Sequence, residues 1–391
     1  MPDLFIGLMS GTSVDAVDGA LVDFAGARPE TLSFASLPMP AALRGELLAL
    51  QRPGPDELAR AARATVALAD LYAEVVHRLL ADARLDAAAV GAIGAHGQTV
   101  RHRPEEGYTL QLMDGARLAE RSGIAVACDF RSADVAAGGQ GAPLVPAFHA
   151  GAFTHPSRRR AVVNIGGIAN VSLLAPGETV RGHDTGPGNL LLDLWCERHT
   201  GAPYDRDGAW GAGGRVLPAL LERLLDEPYF RLAPPKSTGR DLFHAEWLDA
   251  RLAGAGAEPG AGGAGPSAGA TTTPPLPDPA DVQATLAELT ALTISQACSA
   301  FRADEVFICG GGARNLLLMQ RLGALCAPAT VAATDSLGAA SQAVEAVAFA
   351  WLAAQRLRGE PGNLPEVTGA RGPRVLGALY PAPLRALAPA A

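Results

Sequence analysis

The chain has 391 residues, more than one hydrophobic core usually supports, and 48% of them are hydrophobic against 18% charged. That is a globular composition suited to two lobes, and it excludes general disorder. A formal charge of −8 excludes a broad polyanion-binding face, so neither nucleic acid nor a membrane surface is an expected partner.

Cys128, Cys196, Cys298, Cys309 and Cys326 stand apart, with no Cys-x-x-Cys pair, so neither a disulfide framework nor a structural zinc site is expected. The start, Met1-Pro2-Asp3, has no basic leader, and no window nears the roughly 20 apolar residues of a membrane span. A cytoplasmic protein is expected. Lys236 is the single lysine, and its Pro-Pro-Lys-Ser setting lacks the glycines of a P-loop.

Residues 3–24 predict strand, turn, strand, with Ser10-Gly11-Thr12-Ser13 at the tip. Apolar residues from Leu58 to Leu79 recur at helical spacing and predict a helix between Pro55 and Leu85. A strand from Val90 to Ala95 runs into His96-Gly97-Gln98-Thr99, and a polar loop follows Cys128 at Asp129-Phe130-Arg131. Residues 160–174 repeat the opening pattern around Gly166-Gly167, which suggests one such unit per lobe. The sequence His183 to Asn189 reads as a loop carrying Asp184 before a helix at Leu190. Between Ala253 and Pro279, Gly, Ala, Pro, Ser and Thr dominate and predict a flexible surface insertion. A helix from Asp281 to Phe301 follows, then a strand, Glu305–Cys309, leading through Gly310-Gly311-Gly312 into a helix from Leu316. A last helix covers about Ala339 to Leu357, and the tail is loop with one short strand.

The chemistry lies at the tips. Glycine turns bare their N–H groups, and neighbouring hydroxyls add donors for phosphate. Asp15 and Asp18 beside the first tip can hold Mg²⁺ directly or through water. Three separated glycine tips suit a nucleotide clamped between lobes better than a dinucleotide on one sheet. Asp184 is either a turn-forming aspartate or the carboxylate that deprotonates a nucleophile in phosphoryl transfer. Arg131 suits a surface ion pair or a two-pronged anion contact; His96 and His149 suit structural hydrogen bonds; Glu345 suits a solvated position; Cys309 suits a small core residue.

Nine segments in order along nearly the whole chain resemble the anhydro-N-acetylmuramic acid kinases. They are Gly7 to Asp15, Gly94 to Thr99, Cys128 to Arg131, Val163 to Asn170, Asp184 to Asn189, Lys236 to Arg240, Gly310 to Asn315, Glu345 to Leu352, and Asn363 to Pro365 with Thr368 to Ala370. The resemblance implies an α/β, two-lobed actin-like (sugar kinase, heat-shock chaperone, actin) ATPase fold with an interlobe cleft, a homodimer, and ATP with Mg²⁺. On this reading the N-terminal lobe is 1–135, completed by 370–391. The C-terminal lobe is 136–369, with the insertion at 253–279 inside it.

The implied reaction opens 1,6-anhydro-N-acetylmuramic acid with water and phosphorylates O6, in peptidoglycan recycling. The resemblance makes Asp184 the base and Glu345 its catalytic companion. It assigns Ser10, Gly11, Thr12, Ser13, Asp15, Gly166, Gly167, Gly186, Gly188, Asn189, Gly310, Gly311, Gly312 and Asn315 to nucleotide and metal, with Asp15 on Mg²⁺. His96, Gln98, Thr99 and Arg131 would hold the sugar. Ala16 departs from the family, which usually has Gly there. Rival readings are an ordinary sugar kinase acting on a free hydroxyl, a chaperone-like ATPase, and a glycosidase, which would want paired acids and no nucleotide.

Overall fold

The computed structural model describes residues 3–11, 13–26, 28–253 and 277–383. Thr12 and residues 254–276, nearly all of the expected insertion, lie outside the described residues.

The strands are β1 Leu4–Met9, β2 Ala16–Asp23, β3 Glu30–Pro38, β4 Ala92–Ala95, β5 Gln98–Arg103, β6 Tyr108–Leu112, β7 Val126–Cys128, β8 Arg160–Ile165, β9 Ile168–Leu174, β10 Arg181–Pro187, β11 Glu305–Cys309, β12 Thr330–Ala333 and β13 Ala378–Tyr380. One sheet runs β13-β7-β4-β1-β2-β3, the other β10-β9-β8-β11-β12, and β5 pairs with β6 alone. In each large sheet an antiparallel meander (β1, β2, β3; β8, β9, β10) is extended from its first strand by two parallel strands (β4, β7; β11, β12). The order third-second-first-fourth-fifth therefore occurs twice. This is the duplicated α/β, actin-like architecture expected from the sequence.

Parallel neighbours need long crossovers, and helices supply them. Helix Glu57–Ala83 lies between β3 and β4 and buries Leu68, Tyr72, Val75, Val76 and Leu79 fully against the first sheet. Each such side chain contributes about 1.5–3 kcal/mol of burial. Helix Pro279–Phe301 plays the same part under the second sheet.

Helix Val344–Arg358 differs from the division expected from sequence. It belongs to the C-terminal stretch of chain, yet it packs on β1, β2 and β4 of the first sheet. Gly7 and Gly94 explain how: a Cβ on either would stand 1.7 Å from the Ala346 carbonyl oxygen or 1.9 Å from that of Phe349. Only bare backbone lets the helix come so close. Phe349 then joins Phe5, Phe130, Phe148, Val162 and Cys309 in a core that lies between the two sheets. The helix begins five residues later than its periodicity predicts: residues 341–343 form a turn, closed by the Ala343 N–H donating to the Ala340 carbonyl at 2.9 Å, and the Ser341 carbonyl accepts from the Gly310 N–H at 2.9 Å.

Candidate functional site

A cleft of about 370 Å³ opens between the sheets. On its second-lobe side Asn164, Asn170 and Asp184 stand directly opposite one another on β8, β9 and β10. Register partners project from the same face of a sheet, so the three form one polar row, and all three line the cleft.

Asp184 is therefore in a strand, not on the loop predicted from Gly186, Pro187 and Gly188. The pairing shifts by one residue between Asp184 and Gly186, and the strand continues to Pro187. Gly186 sits at φ +145°, and its bulge absorbs the irregularity that reads as loop in the sequence.

The Asp184 carboxylate is buried, and its Oδ2 accepts from the Thr238 N–H at 3.0 Å. Burial pushes this carboxyl up to about 7, against the lowering pull of that N–H and of the Arg131 and Lys236 charges. Such a group is a poised base at neutral pH. Tyr229 donates from its hydroxyl to the Asp184 carbonyl at 2.7 Å and so fixes the strand behind it.

The first lobe supplies the facing wall. Arg131 donates to His96 Nε2 from Nε (3.2 Å) and Nη2 (2.9 Å), and from Nη1 to the Gly141 carbonyl at 2.8 Å. Burial and the adjacent guanidinium hold His96 down to about 3, so it is neutral, with Nε2 accepting and the proton on Nδ1. Gln98 donates to the Gly11 carbonyl at 3.2 Å, while its Oε1 is buried without a partner. Thr99 also lines the cleft and accepts from Gln111 at 3.2 Å.

Glu345 does not face solvent as the last helix's polar side suggests; it lines the cleft, and burial pushes it up to about 7. The Asn164 amide opposes that rise, while Asp18 adds to it. A thiol contact from Cys309 to Asn164 Oδ1 at 3.8 Å leaves the amide nitrogen for the carboxylate. Cys309 and His149 match the structural alternative: both are fully buried, with His149 bonded to Ser172 at 2.8 Å.

Ser10, Gly11, Gly166 and Gly167 join the cleft lining. Ser10, however, has its hydroxyl committed: it donates to the Gly97 carbonyl at 3.1 Å and accepts from Tyr72 at 2.9 Å. It braces the turn and offers no free donor to phosphate.

Gly188, Asn189 and Gly310 to Gly312 stand just behind the second hairpin tip. The Gly188 and Asn189 N–H groups donate to the Gly167 and Gly166 carbonyls, and Asn189 Nδ2 donates to Ile165. Gly312 lies against Ile165, and Gly311 against Asn189. The triple glycine does not open the next helix directly. A tight turn, Gly311–Arg314, intervenes, and Asn315 caps helix Leu316–Leu325 by accepting from Leu318 N–H at 3.1 Å. That capping bond occupies the Asn315 side-chain oxygen.

On the first-lobe tip Ser13 donates to Asp15 at 2.5 Å, and Asp15 is exposed. Burial raises Asp193, on helix Leu190–Thr200 of the other lobe, to about 8, with Asp15 the next contributor. Arg314 likewise acts on Asp18. The first glycine tip thus faces the second lobe.

The family model for anhydro-N-acetylmuramic acid kinase matches residues 3–382. The chain belongs to the anhydro-N-acetylmuramic acid kinase family. It is 59% identical to the kinase of that name from Bordetella petrii over 97% of this chain and 96% of the relative. Identity to the Variovorax paradoxus kinase is 54%, over 97% and 99%, and to the Cupriavidus metallidurans kinase 51%, over 97% and 98%.

Within this anhydro-N-acetylmuramic acid kinase framework, several cleft residues had no assigned role in the sequence reading. Thr238, Ser237 and Arg240 come from the Lys236 to Arg240 segment, which carries the family resemblance but had no residue given a role. Lys236 donates to the Tyr229 carbonyl at 3.2 Å and lies 4.6 Å from the Tyr229 ring centroid, which turns the segment toward Asp184. The Asn363 to Ala370 segment of the family also gains a purpose. Fully buried Asp134 accepts from Asn363 (2.6 Å), Thr368 (2.7 Å) and the Gly141 N–H (2.7 Å). Gly141 is the residue whose carbonyl holds Arg131.

Proposed function

We propose that the cleft holds ATP opposite 1,6-anhydro-N-acetylmuramic acid, opens the 1,6-anhydro bridge with water and phosphorylates O6. The products are N-acetylmuramic acid 6-phosphate and ADP, as peptidoglycan recycling requires. The observation that carries this reading is the buried Asp184 carboxylate. One of its oxygens is anchored by Thr238, and its acidity is set near neutrality by burial inside a cleft that polar groups line from both lobes.

Asp184 takes a proton from water as its oxygen bonds to the anomeric carbon. The C1–O6 bond breaks, its electron pair stays on O6, and O6 bonds to the γ-phosphorus as the bond to ADP breaks. One carboxylate thus serves both events. Arg131, held by His96 and Gly141, supports the sugar together with His96, Gln98 and Thr99. Glu345, beside the Asn164 amide, orients the sugar. Gly166-Gly167 and Gly311-Gly312 suit backbone contacts to nucleotide, Gly188 and Asn189 brace the Gly166-Gly167 turn from behind, and the family resemblance assigns Gly11, Thr12 and Ser13 to the phosphates.

Asp15 and Asp193 suit Mg²⁺ held directly or through water: their mutual repulsion across the cleft is what a dication relieves. Among the described residues no three His, Cys, Asp or Glu side chains converge as an all-protein cage, which agrees with an ion that keeps waters and phosphate oxygens as ligands. Magnesium would neutralise phosphate charge during transfer.

We also propose a homodimer working in the cytoplasm, from the family resemblance. No helix among the described residues is long and apolar enough to cross a membrane. Light scattering of the purified protein tests the dimer. Mass spectrometry of the product from ATP, Mg²⁺ and the anhydrosugar tests the reaction: the expected mass is sugar plus one water plus one phosphoryl group. Phosphorylation without hydration, or ADP release independent of the sugar, would overturn it.

A further inference from the structure

The mechanism leaves one demand unmet by the residues assigned so far. A water that attacks the anomeric carbon has two O–H bonds and needs a lone pair aimed at that carbon. If only Asp184 holds it, the water can rotate about a single hydrogen bond, and few of its orientations are productive. A second acceptor, placed beside the base, would fix the other O–H.

Asn170 stands in that position. It is the register partner of Asp184 across β9 and β10, on the same face, where directly opposite Cβ atoms lie about 4.5–5.5 Å apart. That separation spans one water between two short polar side chains. Asn170 lines the cleft, and its Oδ1 is buried with no hydrogen-bond partner. A buried amide oxygen without a partner is costly, and such groups in a binding cleft are candidates for a ligand's donor. Its neighbour in the row is different: Asn164 has Cys309 on its oxygen and Glu345 near its amide. Asp184 has Thr238 on Oδ2. Of the two amides in the row, Asn170 is the one whose oxygen has no partner, and the second Asp184 oxygen, not held by Thr238, is left for the same water.

We propose that Asn170 is a further catalytic residue, whose Oδ1 accepts one O–H of the nucleophilic water while Asp184 accepts the other. The proposal rests on the ring-opening reading above. The proton on the Asp184 side leaves with the base; the proton on the Asn170 side stays as the hydrogen of the new anomeric hydroxyl. Oxygen bonds to C1 as C1–O6 breaks, and the electron pair follows O6 to the γ-phosphorus, so Asn170 gains and loses nothing.

The test uses the full-length protein with ATP, Mg²⁺ and the anhydrosugar. Asn170→Leu removes the acceptor at nearly constant volume, and Asn170→Asp keeps an acceptor oxygen in place. The leucine variant is expected to lose about a hundredfold in kcat, the scale of a misplaced reactant, with KM for the sugar and Kd for ATP within threefold of the parent. The aspartate variant is expected to retain at least about a tenth of kcat at pH 8.5. Its acid limb moves to higher pH, because a second carboxylate opposite Asp184 raises that base against the lowering effects of Arg131, Lys236 and the Thr238 N–H. If the leucine variant does not fold, Asn170→Ala asks the same question. A kcat within threefold of the parent, a loss expressed wholly in KM, or an aspartate variant as slow as the leucine one overturns the role of Asn170 alone. A parent protein that forms no N-acetylmuramic acid 6-phosphate overturns the ring-opening reading, and this role with it.

Discussion

Among single residues, burial sets the acidity of Asp184. Free aspartate is a weak base at pH 7; the cleft raises it to about 7 by removing water from around the charge. Asp184→Asn keeps the size of the side chain and discards the base. It is expected to fold, to bind ATP as the parent does, and to lose about three orders of magnitude or more in turnover. A turnover within tenfold of the parent would contradict its role.

The pH dependence follows with a definite sign. The base must be deprotonated, so kcat/KM should fall as pH drops through about 7, approaching tenfold per unit below it. Glu345, also near 7, titrates in the same window, so the limb belongs to the pair and can steepen. Stopped assays from pH 5.5 to 9 measure this, and a flat profile down to pH 5.5 would refute it.

At this level the glycine tips and Asp184, His96 and Arg131 stood out in the sequence, but Asp184 read as a loop residue, His96 as a structural histidine and Arg131 equally as a surface ion pair. Three things did not stand out. The polar row through Asn164 and Asn170 depends on strand register, the committed hydroxyl of Ser10 on tertiary contacts with Gly97 and Tyr72, and the cap at Asn315 on where the next helix begins, behind the turn Gly311–Arg314.

At the scale of elements, the hairpins and the long helices followed their periodicities closely. The extent of β10 was hidden by composition: Gly186, Pro187 and Gly188 read as loop, yet a bulge lets the strand carry Gly186 and Pro187. The placement of helix Val344–Arg358 was hidden for a different reason. Its apolar stripe says that it is buried, not which sheet it covers; Gly7 and Gly94 decide that by permitting backbone contact.

Gly94→Ala puts a methyl into the Phe349 carbonyl and must push the helix, and Glu345 with it, away from β4. Overpacking of this kind costs about 1–3 kcal/mol or more. Urea unfolding should show that loss, with kcat reduced as well. An alanine variant as stable and as active as the parent would show that the helix has room the structure does not give it.

At the scale of the whole molecule, ion pairs join the two lobes, one of them, Arg103 with Asp241, at the cleft. Arg44 meets Glu197, Arg52 meets Glu246, and Arg103 meets Asp241, each arginine coming from the first lobe and each acid from the second. All are at least partly exposed, so each is worth about 0–1 kcal/mol and is screened by salt. Pairs of that strength would let the lobes part for substrate to enter. Arg52→Ala combined with Arg103→Ala should leave the melting temperature within a few degrees and raise KM for the sugar several-fold, with kcat within about twofold. An unchanged KM would remove these pairs from the account of closure.

Stability should also depend on pH. Asp184, Glu345 and Asp193 are raised to about 7, 7 and 8, so the folded state holds protons that the unfolded chain has released. Their stabilising contribution is lost as pH rises through those values. The histidines lowered by burial (His96, His102, His149 and His183) act in the opposite sense, but below about 6.5. Between pH 7 and 8.5 the acids decide, and the melting temperature should fall with rising pH, less so in Asp193→Asn. A melting temperature that climbs over that interval would contradict these burials.

The most direct test of the central claim, that Asp184 drives water onto the anomeric carbon while O6 takes the phosphoryl group, is the early-time reaction in ¹⁸O-labelled water, read by fragmentation of the sugar phosphate. One labelled oxygen on C1, above the rate of anomeric exchange, and none in the phosphoryl group is the predicted result. Unlabelled sugar phosphate, or label in the phosphate, would contradict it.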